Sequence, residues 1–380
     1  MIKRLTNLDI DILKDIETLE LSTLGETLGV DSLKTYLDNP IKYIYAYFES
    51  NILVSYISFI FDGILVDINN FATKKEYQHK GYGSKLLNYA LISCFKLKAK
   101  SATLEVRKSN IEAINIYTSF GFKQIFTRSN YYANGDDALL LELKFPNLDS
   151  FLDNYQTVFS KKEITKDYIK YSDEYQFDKY YNNFYKVENL TENVLNKIEK
   201  DNKRNYLSIV TFKQEELLKD FKLEVIENMM AFTKSIKIHE DKGNVVLLTS
   251  ELKSEYIKLS TIEYQENLYE FAYKNAISFF NQNDHGNIKV FLIKKDDELI
   301  GQLHVYIKDG IAKIEDLFIL EKYQKQGYGI TLLKHAIDYI KSQNITFINI
   351  SAYKDDTPKN IYYKLGFIDC LDTYFSRRGE

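Results

Sequence analysis

Two short stretches far apart in the chain carry the same residue types at the same spacing. Glu76 to Ala90 reads EYQHKGYGSKLLNYA, and Lys322 to Ala336 reads KYQKQGYGITLLKHA. Gln-x-x-Gly-x-Gly therefore stands twice, each time ahead of an apolar-periodic run. Glycines let a backbone turn tightly and approach a ligand closely. The free N–H groups of the helical turn that follows, with the positive end of the helix dipole, face an anion such as a pyrophosphate. The expected product is an anion cradle made of backbone, one from Gln78, His79, Lys80, Gly81, Tyr82, Gly83 and Ser84, the other from Gln324, Lys325, Gln326, Gly327, Tyr328, Gly329 and Ile330. The pattern has no third glycine for a dinucleotide fingerprint and no Gly-Lys-Ser/Thr for a nucleotide-triphosphate loop, so both of those readings are disfavoured. A second block recurs in the same order and at almost the same distance, Ile116 to Phe122 (IYTSFGF) answered by Ile361 to Phe367 (IYYKLGF).

A tandem pair so widely separated means two homologous domains, because solenoid repeats have much shorter periods. In the first copy, runs at Ile41 to Phe48, Ile52 to Phe61 and Ile64 to Ala72 read as three antiparallel strands, with Glu49-Ser50-Asn51 and Asp62-Gly63 as their turns. Tyr82 to Lys98 shows the apolar stripe of a helix in Leu86, Leu87, Ala90, Leu91, Cys94 and Phe95. A strand at Ala102 to Val106, a helix capped by Ser109 or Asn110 and stopped at Gly121, and strands at Phe122 to Arg128 and Ala138 to Phe145 complete it. The class is mixed α/β. Pro146 ends the last strand, which divides the chain into 1–146, a middle region 147–244, and 245–380.

The middle region holds seven tyrosines between Tyr155 and Tyr185, read as core or interface, and no chemical motif. Strand-like runs at Tyr206 to Phe212 and Lys222 to Phe232, with a short helix at Gln214 to Phe221 between them, suit a degenerate half-domain. The second copy has strands at Val290 to Lys294, Leu299 to Ile307 and Ile311 to Leu320, and its last strand-like run gives out before Arg378. Nothing then remains for the final strand that the first copy has. An open edge would result, and Asn244 to Thr249 or Tyr206 to Phe212 is expected to fill it, packing the middle region on the C-terminal domain.

With 45% hydrophobic and 27% charged residues, the chain has enough apolar mass for more than one core. The run Ile52 to Phe61 is too short to span a bilayer and the acidic start suits no signal peptide, so a cytoplasmic protein without membrane contact is expected. A net charge of -4 argues against direct nucleic-acid binding. Two cysteines, Cys94 and Cys370, make neither a disulfide framework nor a metal site.

These residues resemble the GCN5-related N-acetyltransferase (GNAT) superfamily, over about Met1 to Phe145 and again over about Val245 to Arg378. In the first copy, Asn70-Phe71-Ala72-Thr73, Leu104-Glu105-Val106-Arg107-Lys108-Ser109-Asn110, Ala113 to Tyr117, Gly121-Phe122, Arg128-Ser129-Asn130-Tyr131-Tyr132 and Asp137-Ala138 look like the ribosomal-protein-alanine N-acetyltransferases. The resemblance implies two acyl-CoA N-acyltransferase domains, each a mixed, mostly antiparallel sheet flanked by helices. Acetyl-CoA would be the cosubstrate, no metal would be needed, and the acceptor would be an amine, a ribosomal or other protein N-terminus. It makes Glu105 the general base, Tyr117 the general acid, Asn110 a CoA contact, and Phe71, Ala72 and Thr73 the backbone that pairs with pantetheine. Leu317, Phe318 and Ile319 are the matching segment of the second copy.

The chemistry asks for the same types. An amine must lose a proton before it attacks a thioester, and the departing thiolate needs one. A backbone N–H near Ala72 can hold the oxyanion if that strand bulges. The second copy keeps the phenol at Tyr362, with Tyr363 a weaker stand-in, but sets Ile350 or Ser351 opposite Glu105 and Asp355 opposite Asn110. Its base is sought at Glu315 or Asp316, Glu315 being preferred. His79 and His304 are read as non-catalytic. Two alternatives stay open: a small-molecule amine acceptor such as a polyamine, antibiotic or amino acid, and a C-terminal domain that binds CoA without catalysis.

Overall fold

A computed structural model of the chain describes residues 1–147, 161–172, 183–232, 241–262, 264, 266–353 and 359–379. It divides into two compact units, Met1–Leu148 and Asp149–Glu380.

The first unit runs β1 (Ile2–Arg4), α1 (Ile10–Thr23), α2 (Val30–Leu37), β2 (Lys42–Glu49), β3 (Ile52–Phe61), β4 (Leu65–Thr73), α3 (Tyr82–Lys96), β5 (Ser101–Arg107), α4 (Ile111–Ser119), β6 (Lys123–Arg128) and β7 (Ala138–Lys144). Its seven strands lie in the order β1-β2-β3-β4-β5-β7-β6. Neighbours are antiparallel except β4 and β5, joined by the α3 crossover, and these pair only from Leu65↔Ser101 to Ile68↔Leu104. Beyond Ile68 the two strands part, and the gap is where the candidate site lies. Leu86, Leu87, Ala90, Leu91 and Phe95 of α3 are buried. Leu13, Ile16 and Leu19 of α1 and Leu33 of α2 form a core cluster with Ile44, Ala46, Leu53 and Tyr56 of the sheet. Each such leucine or isoleucine contributes about 2 kcal/mol by leaving water.

The second unit runs β8 (Lys161–Ile164), β9 (Ile169–Ser172), β10 (Asn183–Lys186), α5 (Glu192–Asp201), β11 (Tyr206–Thr211), β12 (Lys222–Phe232), β13 (Asn244–Leu247), α6 (Lys253–Thr261), α7 (Tyr269–Asp284), β14 (Ile288–Lys295), β15 (Glu298–Lys308), β16 (Ile311–Ile319), α8 (Tyr328–Ser342), β17 (Phe347–Tyr353), α9 (Lys359–Lys364) and β18 (Ile368–Gly379). One 11-stranded sheet takes them all, in the order β13-β14-β15-β16-β17-β12-β18-β11-β10-β9-β8. From β13 to β17 the plan repeats that of β1 to β5, down to a parallel β16–β17 pair that ends at Ile314↔Ile350.

The place that β7 fills in the first unit is filled here by β12, antiparallel to both β17 and β18. Of the two runs expected at the open edge of the last strand, one lies there and the other does not. Asn244–Leu247 pairs with β14 at the far edge, and Tyr206–Thr211 pairs with β18. The last strand is also longer than the sequence reading allows, since β18 continues to Gly379, which pairs with Tyr206.

The strands β8 to β11 repeat the plan a further time. Two antiparallel pairings are followed by a parallel β10–β11 pair with α5 between them. For this lobe β18 stands where β7 would, and β12 stands where β6 would. The two lobes have exchanged their last strands. In place of the expected helix at Gln214 to Phe221 there is a short 3-10 turn, Glu216–Leu218. Tyr171 and Tyr185 are 1% exposed, so these two tyrosines are core. Tyr155, Tyr175, Tyr180 and Tyr181 lie outside the described residues.

Candidate active sites

Gly81 (φ 84) and Gly327 (φ 99) are the N-caps of α3 and α8, in a left-handed conformation that glycine adopts without cost. Neither helix has a side chain capping its first turn, so backbone N–H groups are left for a ligand. His79 and Lys325 share φ 58, a second left-handed residue in each loop. Gln78 Nε2 donates to the Thr73 carbonyl at 3.0 Å, and Gln324 Nε2 to the Ile319 carbonyl at 2.9 Å. These glutamines pin each loop to the end of its strand. The Tyr82 ring packs edge-on against Tyr47 and Tyr77, and Tyr328 against Tyr323. Lys80 lies over the Tyr77 ring, and Gln326 Nε2 bonds the Lys322 carbonyl. Ser84 and Ile330 sit half-buried in the first helical turns.

Gly83 has a different reason to be glycine. A Cβ there would meet Thr73 Oγ1 at 2.9 Å and Phe71 Cζ at 3.2 Å, so its bareness lets α3 approach β4. At Gly329 the same atom would find Ile319 and Leu317 at 3.8 and 4.0 Å, ordinary contact. The second cradle has a neighbour outside its motif: Lys242 N donates to Thr331 Oγ1 at 3.1 Å, and Lys242 Cδ lies 3.5 Å from where a Gly327 Cβ would be. Sequence reasoning missed Lys242, which precedes the repeat and carries no pattern.

The third lobe lacks this equipment. Thr191 caps α5 by accepting from Val194 N, the loop Val187 to Thr191 has no glycine, and Glu192 stands in the first turn. A carboxylate at that end repels an anion.

At the parting of β4 and β5, Glu105 follows the last paired residue, Leu104, and is partly buried. Its Oε1 lies 3.1 Å from Arg128 Nε. A hydrogen bond to Glu105 raises the Tyr131 phenol above its ordinary value, and the charge of Glu105 adds to it. Tyr117 of α4 is 7% exposed and packs against Phe71 and Phe122, at centroid distances of 6.3 and 5.8 Å. Burial pushes its phenol up, and Tyr132 adds to the shift. Burial likewise raises Tyr132, opposed by Arg107 and helped by Glu105. Tyr132 therefore stands close enough to feel both Glu105 and Tyr117, and Arg107 lies 3.6 Å over its ring. Asn110 Oδ1 caps α4 through Ala113 N at 3.1 Å, leaving its amide N–H groups for other partners. The bulge of β4 falls at Asn69, three residues before Ala72. Ala72 is buried and its carbonyl accepts from Ser55 Oγ at 2.8 Å.

Comparison with known proteins agrees with this geometry. The acetyltransferase (GNAT) domain profile matches residues 12–144, and the acetyltransferase (GNAT) family profile matches residues 248–367. A protein of Bacillus subtilis (strain 168), provisionally assigned as a ribosomal protein bS18-alanine N-acetyltransferase, is 30% identical over 139 residues, 36% of this chain and 91% of that one. The chain belongs to the GNAT acetyltransferase family. The ribosomal protein bS18-alanine N-acetyltransferase of Escherichia coli (strain K12) is 38% identical over 77 residues, 20% of this chain and 52% of its own length. A functionally unknown conserved protein of Staphylococcus epidermidis shares the fold, with a TM-score of 0.51 and 18% identity over 60% of this chain and 97% of that one.

As a GNAT acetyltransferase the chain is an acyltransferase that draws on acetyl-CoA, and its first domain resembles the enzymes that act on ribosomal protein bS18. Among the described residues, no cluster of three or more His, Cys, Asp or Glu could hold a metal ion, and no helix is long and apolar enough to cross a membrane.

In the second GNAT domain the strand register decides which residue takes the place of Glu105. Ile350 takes the place of Leu104 as last paired residue, so Ser351 takes the place of Glu105. Tyr362 is 5% exposed and meets Phe367 as Tyr117 meets Phe122. Tyr363 is exposed and its hydroxyl donates to Asp369 Oδ1 at 2.8 Å. Glu315 is paired with Lys313. Leu317 and Phe318 are half-buried and Ile319 is buried, along the last turn of β16 before the cradle. Asp355 lies outside the described residues.

Proposed function

We propose that the first domain transfers an acetyl group from acetyl-CoA to a protein N-terminal amine in the cytoplasm, with Glu105 as base and Tyr117 as acid. The observation that carries the reading is the placement of a carboxylate and a buried phenol beside the gap between β4 and β5, next to a cradle whose N–H groups no side chain caps.

Acetyl-CoA supplies an activated acyl thioester. The backbone of Gly81 to Ser84 would hold its pyrophosphate, and the free edge of Phe71 to Thr73 its pantetheine arm. Gly83 supports that fit, because any side chain there would fill the space between helix and strand. Glu105 takes a proton from the incoming ammonium, and the freed amine attacks the carbonyl carbon. Backbone N–H groups of the β4 edge hold the negative charge that develops on the carbonyl oxygen. Tyr117 gives its proton to the departing thiolate. Arg107, Arg128, Tyr131 and Tyr132 form a lip around Glu105 that an extended peptide can lie against. The second domain, with its own uncapped cradle and Tyr362, is read as a second acetyl-CoA site.

Mass spectrometry of protein N-termini in cells with and without the gene tests the acceptor. A set of N-termini that lose acetylation when the gene is absent, and regain it with purified chain and acetyl-CoA, supports the reading. Transfer to free amino acids or polyamines with no change at any N-terminus removes it.

A further inference from the structure

The two halves differ at the gap where their central strands part, and the difference is complementary. In the first, Asn70 stands two residues beyond the last paired residue of β4, Ile68, and Glu105 one beyond that of β5. In the second, Asp316 stands two beyond Ile314 of β16, and Ser351 one beyond Ile350 of β17. A carboxylate is present at each gap, moved from one strand to the other.

Asp316 is not an ordinary strand residue. Its φ of 52 lies in the left-handed region, which costs a non-glycine residue free energy and which Asp tolerates better than most. It sits where the β15–β16 register shifts between Gln302 and His304. Behind it, His304 is 0% exposed, with Nδ1 2.9 Å from Asp316 Oδ2 and Nε2 3.3 Å from Tyr256 Oη. The Phe279 ring closes over the imidazole at 4.9 Å. The Asp316 side chain itself remains 47% exposed. A fully buried imidazole is expensive unless its nitrogens find partners; Nδ1 makes no aligned hydrogen bond, and the group nearest to it is a carboxylate that opens to solvent beside the gap.

We propose that Asp316 accepts the acceptor amine's proton in the second half, and that His304 is the positioning residue that holds it there. The inference rests on the reading of the second domain as an acetyltransferase, and it transfers to Asp316 the role that sequence preferred for Glu315. Glu315 is paired with Lys313, whereas Asp316 has the buried imidazole behind it and keeps an exposed face. The proton moves from the ammonium nitrogen to a carboxylate oxygen, the amine attacks the thioester carbon, the C–S bond breaks, and the thiolate is protonated from Tyr362 or water. The charged and titratable groups facing Asp316 are His304 from β15, Lys313 and Glu315 from its own strand, and Tyr256 from α6. Burial pushes the Asp316 carboxyl up, but the charge and closeness of His304, with Lys313, outweigh it and hold the group below the ordinary carboxylate value.

The test uses the full chain with Gly81→Glu silencing the first cradle, a panel of peptide and small-molecule amines, and thiol release as the readout from about pH 3, below the ordinary aspartate value, to about pH 9. Asp316→Asn is expected to lower the rate by roughly 10²- to 10⁴-fold while calorimetry shows unchanged CoA affinity. His304→Gln removes a group that holds the Asp316 carboxyl low, so the acid limb of the profile moves to higher pH while the alkaline plateau is kept. His304→Asn, a second isolated variant, guards against misfolding and should move the limb the same way. Full rate in Asp316→Asn, or loss in Glu315→Gln alone, overturns the assignment. A His304 variant that melts like the parent and loses rate equally at every pH overturns the positioning role. A second half that binds CoA but releases thiol with no amine overturns the inference and leaves the cradle standing. One that binds no CoA overturns the acetyltransferase reading on which it rests.

Discussion

Arg128 Nε lies 3.1 Å from Glu105 Oε1, so the carboxylate assigned as base is already paired before any substrate arrives. An acceptor enters as an ammonium and has to displace, or share the carboxylate with, a guanidinium. Arg128→Gln should therefore lower KM for cationic peptide amines, and steady-state kinetics that leave KM unchanged would show that the amine takes another route.

Glu105→Gln removes the proton acceptor and leaves the cradle untouched. Turnover of the first domain should fall by roughly 10²- to 10⁴-fold with acetyl-CoA affinity nearly intact. Unaltered turnover would make Glu105 a structural partner of Arg128.

Tyr117→Phe keeps the ring that packs between Phe71 and Phe122 and removes the hydroxyl. The melting temperature should hold while turnover falls, by about 10²-fold or more if the phenol is the acid. Because burial raises this phenol above its ordinary value, it keeps its proton through the alkaline range. The rate should accordingly show no decline from Tyr117 as the pH rises to about 10, the ordinary tyrosine value. An alkaline limb below that pH, absent from Tyr117→Phe measured on the residual activity, would overturn the raised value, and full turnover in Tyr117→Phe would overturn its role as the acid.

The two inner glycines of the cradles should respond with opposite signs. Gly83→Ala forces a methyl to 2.9 Å from Thr73 Oγ1 and should cost about 1–3 kcal/mol. Gly329→Ala meets only ordinary contacts in the first turn of α8, and the gain in helix propensity is about 0.5–1 kcal/mol. Denaturant unfolding of the two variants compares them directly, and equal effects would refute the packing argument.

Glu20 is fully buried, where Tyr56 Oη, Asn70 Nδ2, Thr27 Oγ1 and Leu28 N all donate to its carboxylate. It ties the α1–α2 connection to the bulged part of β4. Glu20→Ala leaves a buried hydroxyl and a backbone N–H without their acceptor, which should cost about 2–4 kcal/mol. Thermal unfolding that barely moves would mean water replaces the carboxylate.

The cradles were legible because their chemistry is local: a turn, two glycines and a helix start, written in consecutive residues. The meander strands were legible for the same reason. Five helices, α1, α2, α5, α6 and α7, were not. In α1 a buried glutamate, Glu20, interrupts the apolar stripe. The inward face of α7 is made of Ala272, Ala276, Ser278 and Gln282 among others, small and polar residues that give a periodicity count little to find. The lip of Arg128, Tyr131 and Tyr132 was visible only as a resemblance, since what brings it to Glu105 is the β5-β7-β6 order. That an edge lacked a strand could be read from length alone. That β12 fills it could not, because pairing between distant residues leaves no mark in either segment.

The exchange of β12 and β18 also sets an order of events during synthesis. The first unit has all its strands within its own stretch of chain and can close as soon as that stretch leaves the ribosome. The lobe of β8 to β11 emerges next, yet its neighbour β18 lies far along the chain, with Gly379 pairing to Tyr206. Until β18 has been made, β11 and β12 have an unpaired edge each, and contacts of such long sequence separation form slowly. During that interval the nascent second unit carries two open strand edges, which are templates for pairing with other chains.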